Sequence, residues 1–161
     1  HTFMKLELTT ESPEETQAVA AKVAASIEPG DVLALCGDLG SGKTCFTQGL
    51  AAALGVSEAG VVNSPTFVLL NVYQGRLPIY HFDAYRLGNA DAWLDLGAED
   101  MLYGEGVCII EWADMVVEAL PDDRLTIEFE HVSISERHLI LTPSGPNSGR
   151  LVHSVNVQVA P

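Results

Sequence analysis

Gly37, Gly42, Lys43 and Thr44 fill the pattern G-x-x-x-x-G-K-[ST], and the run Gly37-Asp38-Leu39-Gly40-Ser41-Gly42-Lys43-Thr44 carries Gly40 as a further glycine. Residues of these types at this spacing bind phosphate. Glycines let the backbone turn with positive φ and bring N–H groups against phosphate oxygens where a Cβ would collide. Lys43 is then placed to meet the β- and γ-phosphates, and the Thr44 hydroxyl to hold Mg²⁺. A helix starting at this point adds the partial positive charge of its N-terminus.

Three further stretches carry groups that suit phosphoryl chemistry. Asn63-Ser64-Pro65-Thr66-Phe67 sets a hydroxyl on a loop. Composition alone makes it a turn into a strand, but P-loop enzymes sense the γ-phosphate through a loop Ser or Thr here, which makes Thr66 the switch candidate. His81-Phe82-Asp83-Ala84-Tyr85-Arg86 ends an apolar strand in an acid, and Val107 to Ile110 runs into Glu111-Trp112. Asp83 and Glu111 therefore compete for one metal-site role. The Val107 run is the more continuous, as expected of a strand covered on both faces. It is placed beside the phosphate-loop strand, with Glu111 near the metal and Asp83 free to position water or couple the switch.

The elements that must hold these groups follow from patterning. Met4 to Leu8 alternates as a short strand. Ser12-Pro13-Glu14-Glu15 begins a helix with a cap, a first-turn proline and a capping-box glutamate, and the helix runs toward Ile27 before Pro29-Gly30. Val32 to Cys36 is a central strand, followed by the loop and an Ala/Leu-rich helix to about Leu54. Phe67 to Tyr73 and Leu77 to Phe82 form a hairpin around Gln74-Gly75-Arg76. Two short helices, Asn89 to Leu96 and Ala98 to Tyr103, flank Gly97, and a third short helix runs from Asp114 to Leu120. Arg124 to Glu130 and Arg137 to Leu141 alternate as an antiparallel pair, and Leu151 to Val159 alternates like them after a loop from Pro143 to Gly149. The fold expected is α/β, a P-loop NTPase-like three-layer arrangement with a mainly parallel central sheet and an antiparallel hairpin element. One domain over residues 1–161 is expected, with Met4 as the native start and 143–161 as a tail of unassigned role.

Eight Lys and Arg against twenty-two Asp and Glu give a formal net charge of −14. That surface repels phosphate backbones, so autonomous nucleic-acid binding is not expected and a partner would bring any RNA. Cys36, Cys45 and Cys108 lie in or beside apolar segments without disulfide or zinc spacing, which suits a reduced, cytoplasmic protein. No run is long and apolar enough to be read as a membrane span. Arg76, Arg124, Arg137 and Arg150 are scattered, which weakens a small-molecule kinase reading. No N-K-x-D segment marks guanine selectivity.

The phosphate loop, Ser64-Pro65-Thr66-Phe67, His81-Phe82-Asp83-Ala84-Tyr85-Arg86-Leu87 and Ile110-Glu111-Trp112, in that order, resemble the TsaE (formerly YjeE) family of bacterial ATPases in tRNA threonylcarbamoyladenosine biosynthesis. The resemblance spans about residues 5–142. It implies ATP and Mg²⁺ as ligands, slow partner-dependent hydrolysis, and TsaB- and TsaD-type partners that handle the tRNA. By matching motif it implies nucleotide contacts from Asp38, Leu39, Gly40, Ser41, Gly42, Lys43, Thr44 and Cys45, with Thr44 and Glu111 holding Mg²⁺. Lys43, Thr66, Asp83 and Glu111 would form the catalytic set. Trp112 would border the nucleotide or a partner, although its residue type fits a core aromatic about as well. Arg137 would approach the adenine; read from the residues alone it is a surface charge on an edge strand. Cys45 departs from the family, where a second Thr is common. His81 reads as a structural hydrogen-bonding residue. A kinase, or a nucleotide-binding scaffold without meaningful turnover, are the competing functions.

Overall fold

A computed structural model describes residues 3–38, 42–57, 70–87, 90–95 and 97–159. Its strands are β1 (Leu6–Thr10), β2 (Val32–Cys36), β3 (Leu70–Gln74), β4 (Pro78–Asp83), β5 (Val107–Glu111), β6 (Leu125–His131) and β7 (Arg137–Pro143). The helices are α1 (Pro13–Ala24), α2 (Lys43–Ala53), α3 (Ala84–Leu87), α4 (Ala90–Asp95), α5 (Ala98–Leu102) and α6 (Pro146–Val159).

One seven-stranded sheet runs in the order β1-β7-β6-β2-β5-β4-β3. The inner strands β6, β2, β5 and β4 pair in parallel, and antiparallel pairing is confined to β1–β7–β6 on one side and β3–β4 on the other. The expected neighbour relation between the Val107 strand and the phosphate-loop strand is present, with Leu35 opposite Glu111. Period-two alternation feeds two cores, one on each face of the sheet. Leu33, Leu35, Val107, Ile109, Leu125, Ile127, Leu139 and Leu141 pack with α1, α2 and α6. Val32, Ala34, Cys108, Ile110 and Phe82 pack on the opposite face with Trp93, Ala98, Leu102 and Val116. Strands this apolar on both faces belong between two helical layers, as the three-layer expectation required.

The Ser12 side chain caps α1 by accepting the Glu15 N–H at 3.1 Å, and Glu15 reaches back to the Glu11 N–H at 2.9 Å. The helix ends at Ala24 and the chain tightens into i→i+3 bonds from Ser26 to Val23 and from Ile27 to Ala24, while Arg76 from the β3–β4 turn donates to the Ala24 and Ile27 carbonyls at 3.0 and 2.8 Å. No local signal reveals a C-cap delivered from fifty residues away. A Cβ on Gly49 would lie 2.7 Å from Gln17 Cα, so α1 and α2 cross in close contact. That crossing sets Pro13 beside the start of α2, where Cys45 Sγ donates to the Pro13 carbonyl at 3.3 Å.

Three expectations are corrected. Leu151 to Val159 belongs to a helix, α6, whose first turn takes up residues 146–149 of the expected loop, and Pro143 ends β7. Asp123, on the segment before β6, accepts the Asn147 and Ser148 N–H groups at 2.8 and 2.9 Å, and Leu151, Val152 and Val155 are buried against the core. A distant cap and packing on α1 overrule the local β-branched alternation. Arg150 fixes the same helix through buried Asp31 at 2.9 Å and exposed Glu28 at 3.0 Å. The stretch Asp114 to Leu120 forms two 3₁₀ turns, Ala113–Met115 and Val117–Ala119, instead of one helix. Finally, β7 is not an edge strand: it lies between β1 and β6, so Arg137 starts an interior strand.

Candidate active site at the strand ends

The loop between β2 and α2 leaves the sheet where parallel strands end, the usual place for ligands in open α/β sheets. Gly42 stands as the residue before α2 with φ 116°, a conformation that side chains resist. A Cβ there would lie 3.6 Å from Phe129 and 4.0 Å from the Arg137 side chain. The loop's last glycine thus rests against the β6–β7 pair. Asp38 is exposed, and Leu39, Gly40 and Ser41 lie outside the described residues, as does Thr66 with the whole 58–69 segment.

Lys43 is 5 % exposed although it carries an ammonium. Its Nζ donates to the Gly37 carbonyl at 2.5 Å and stands 3.8 Å from the centre of the Trp112 ring. Burial pushes its pKa down, while the nearby Glu111 carboxylate, followed by Cys36, Asp114 and Asp38, pulls it back up. Trp112 adopts the left-handed region at φ 59°, the one such conformation among the described non-glycine residues. That turn, made directly after β5, sets its half-buried ring between Lys43 and Tyr85, whose ring centre is 5.2 Å away. Trp112 therefore sits beside the phosphate loop, outside both apolar cores.

Alternation also decides which acids face α2. Asp83 and Glu111 are register partners at the ends of β4 and β5, and His81 is opposite Ile109. Ile79 and Ile109 belong to the core on the α2 face, so His81, Asp83 and Glu111 share that face. Asp83 and Glu111 are each 2 % exposed and His81 is fully buried. Asp83 Oδ1 accepts the Tyr85 N–H at 3.0 Å, which anchors the chain as it enters α3. Glu111 Oε2 accepts from His81 Nε2 at 2.5 Å, and Tyr73 Oη meets His81 Nδ1 at 3.2 Å. His81 was legible as a hydrogen-bonding residue; its attachment to Glu111 was not, because strand register is a tertiary property.

The donor set suits Mg²⁺. The Thr44 hydroxyl and the Glu111 carboxylate offer hard oxygen donors of the type Mg²⁺ takes, an ion that ordinarily keeps water or phosphate oxygens as well. Among the described residues no three His, Cys, Asp or Glu side chains gather into a metal cage. On the other flank of Gly42, a cavity of about 80 Å³ is lined by Ser12, Pro13, Thr16, Cys45, Ile134 and Arg137. Arg137 is held there by donating to the Ser133 and Ile134 carbonyls at 2.8 and 3.3 Å. Burial raises the pKa of the Cys36 and Cys45 thiols and lifts Cys108 to about 12, which disfavours thiolate chemistry.

Residues 10–139 match the family described as Threonylcarbamoyl adenosine biosynthesis protein TsaE. This chain belongs to the TsaE family. A Bacillus subtilis relative called tRNA threonylcarbamoyladenosine biosynthesis protein TsaE is 46 % identical over 142 residues, covering 88 % of this chain and 87 % of its own. A Treponema pallidum protein of the same name is 42 % identical over 128 residues, covering 80 % and 93 %. The crystal structure of B. subtilis YdiB superposes with a TM-score of 0.84 at 38 % identity and covers 98 % of both chains. Family membership agrees with the α/β architecture and with a nucleotide-binding loop at this position. Among the described residues no helix is long and apolar enough to cross a membrane.

Proposed function

We propose that this chain binds ATP with Mg²⁺ and hydrolyses it slowly. It does so in the cytoplasm, in support of TsaB- and TsaD-type partners that install the threonylcarbamoyl group on adenosine beside the tRNA anticodon. The observation that carries the reading is that Asp83 and Glu111, far apart in sequence, end neighbouring strands on the α2 face, with the Glu111 charge acting on Lys43 at the start of α2. The relatives' name supplies the pathway, and the net charge of −14 agrees with leaving the tRNA to the partners.

In this reading backbone N–H groups of the loop and the N-terminus of α2 bind the phosphates, and Lys43 exchanges the Gly37 carbonyl and Trp112 ring for phosphate oxygens. Thr44 and Glu111 hold the ion. Bound Mg²⁺ neutralises charge developing on the phosphoryl oxygens. Asp83 orients the attacking water, Thr66 senses the γ-phosphate, and Arg137 with Cys45 flanks the base.

Among the described side chains, the arginines argue against a kinase that closes over a second phosphorylated substrate. Arg76 is used on α1, Arg124 donates to the Pro121 carbonyl at 2.9 Å, Arg150 binds Asp31, and Arg137 holds its own turn. The test is phosphate release with and without Mg²⁺ and the two partners. Release that requires Mg²⁺ and rises with the partners is expected; turnover that needs a small phosphate acceptor and ignores the partners would replace this reading with the kinase.

A further inference from the structure

A chain of three side chains, half-buried at Tyr73 and buried at His81 and Glu111, runs from the sheet edge to the acid assigned to the metal. Tyr73 on β3 contacts His81 on β4, and His81 contacts Glu111 at the end of β5, at 3.2 and 2.5 Å. The three positions share the α2 face because Tyr73 is opposite Ile79, His81 is opposite Ile109, and Asp83 is opposite Glu111. Burying an imidazole at 0 % exposure and a carboxylate at 2 % costs several kcal/mol of hydration, on the order expected for such groups, and apolar residues would fill the space more favourably. The arrangement therefore calls for a use beyond packing.

An ionised carboxylate only accepts hydrogen bonds, so the short contact requires the hydrogen on His81 Nε2. In the neutral ring Nδ1 is then the acceptor, and the Tyr73 hydroxyl donates to it, which fixes tautomer and ring orientation together. Glutamate has three side-chain torsions and loses much rotamer freedom when ordered. With Oε2 committed to His81, the carboxylate plane is set and Oε1 keeps one direction.

We propose that His81, itself oriented by Tyr73, is the positioning residue that presents Glu111 to the nucleotide-bound Mg²⁺, and that it acts through Glu111 without touching ion or nucleotide. This rests on the reading of Glu111 as the metal acid. Without the Nε2 donor the carboxylate rotates among conformers and binds the ion less well, by the ten- to hundredfold, roughly, that outer-sphere partners of metal ligands contribute.

The test is ATP affinity of the full chain by calorimetry, with Mg²⁺ and with chelator, which gives the affinity gained from the metal. His81→Gln places an amide N–H near the position of Nε2, whereas His81→Asn places one near Nδ1 and leaves Glu111 without a donor. Both introduce a neutral amide into the same buried site, so a merely structural role would move them alike. His81→Asn is expected to lose about tenfold or more of the Mg²⁺-dependent gain while metal-free ATP affinity stays unchanged, and His81→Gln to recover most of it. Tyr73→Phe, the milder change should His81→Asn not fold, is expected to lose two- to fivefold, roughly, on the same scale. Equal behaviour of the Asn and Gln variants, or a full Mg²⁺ gain in Tyr73→Phe when His81→Asn does not fold, overturns the proposal. Glu111→Gln separates the two levels: if it keeps the full Mg²⁺ gain, the assignment of Glu111 to the metal fails and the proposal falls with it. If it loses that gain while His81→Asn keeps it, the proposal alone fails.

Discussion

Replacing Lys43 by Met is expected to weaken ATP binding with little effect on the fold. Met keeps most of the aliphatic stem of a residue only 5 % exposed and removes the ammonium. In the resting protein that ammonium has one charged hydrogen bond, to the Gly37 carbonyl, and one aromatic face, Trp112. Together these are worth about 2–4 kcal/mol, against a desolvation cost of similar size, so apo stability changes little. In the proposed ATP complex the same group would make two charged contacts, to the β- and γ-phosphates, worth about 3–6 kcal/mol. The difference, about 1–2 kcal/mol, predicts a five- to thirtyfold weaker ATP affinity, roughly. ADP, which lacks the γ contact, is expected to lose less. Calorimetric titration with both nucleotides, alongside a thermal melt of the apo protein, measures each quantity. ATP affinity within twofold of the parent, in a folded variant, would refute the phosphate role. A melting temperature lower by more than about 10 °C would show that the fold itself depends on the buried ammonium.

Asp83→Asn is expected to lower the rate of phosphate release by at least tenfold, roughly, with the Mg²⁺-dependent gain in ATP affinity retained, since Asp83 is assigned to water; loss of that gain would exchange the roles of Asp83 and Glu111. Gly49→Ala forces α1 away from α2, because the new methyl meets Gln17 backbone at 2.7 Å. It is expected to cost about 1–3 kcal/mol in a denaturant melt, and an unchanged midpoint would show that the helix crossing yields freely. Asp123→Asn removes the charged cap of α6. Burial raises the Asp123 pKa, but hydrogen bonds from Ser148 and Asn147 outweigh it and leave the carboxyl below its ordinary value. A depressed carboxylate stabilises the fold above its unfolded pKa and loses that contribution as pH falls through the folded one. The parent and variant are therefore expected to differ by about 0.5–1 kcal/mol at neutral pH, a modest figure because solvent screens the site. The gap should close below about pH 4, as followed by melting temperature against pH; a gap that widens on acidification would contradict the assignment.

The sequence by itself determined the parts whose physics is local. A glycine run that admits phosphate, a lysine and threonine at a helix start, a Ser–Pro–x–Glu cap and strands apolar on both faces each follow from residue type and spacing, and they place β2, α1, α2 and β5. The continuity of Val107 to Ile110 was enough to set β5 beside β2 and Glu111 at a strand end. Tertiary structure decided whatever depends on a partner far along the chain. It turned the alternating 151–159 segment into α6, through a cap from Asp123 and a buried face against α1, and it brought the Arg76 guanidinium to the C-terminus of α1. Register, which local pattern does not encode between strands thirty residues apart, joined His81 to Glu111 and set Asp83 opposite it. The ring of Trp112 reached Lys43 only through a left-handed backbone turn that its residue type disfavours. Side-chain chemistry named the groups of the site; long-range packing and strand pairing supplied the distances at which they can act.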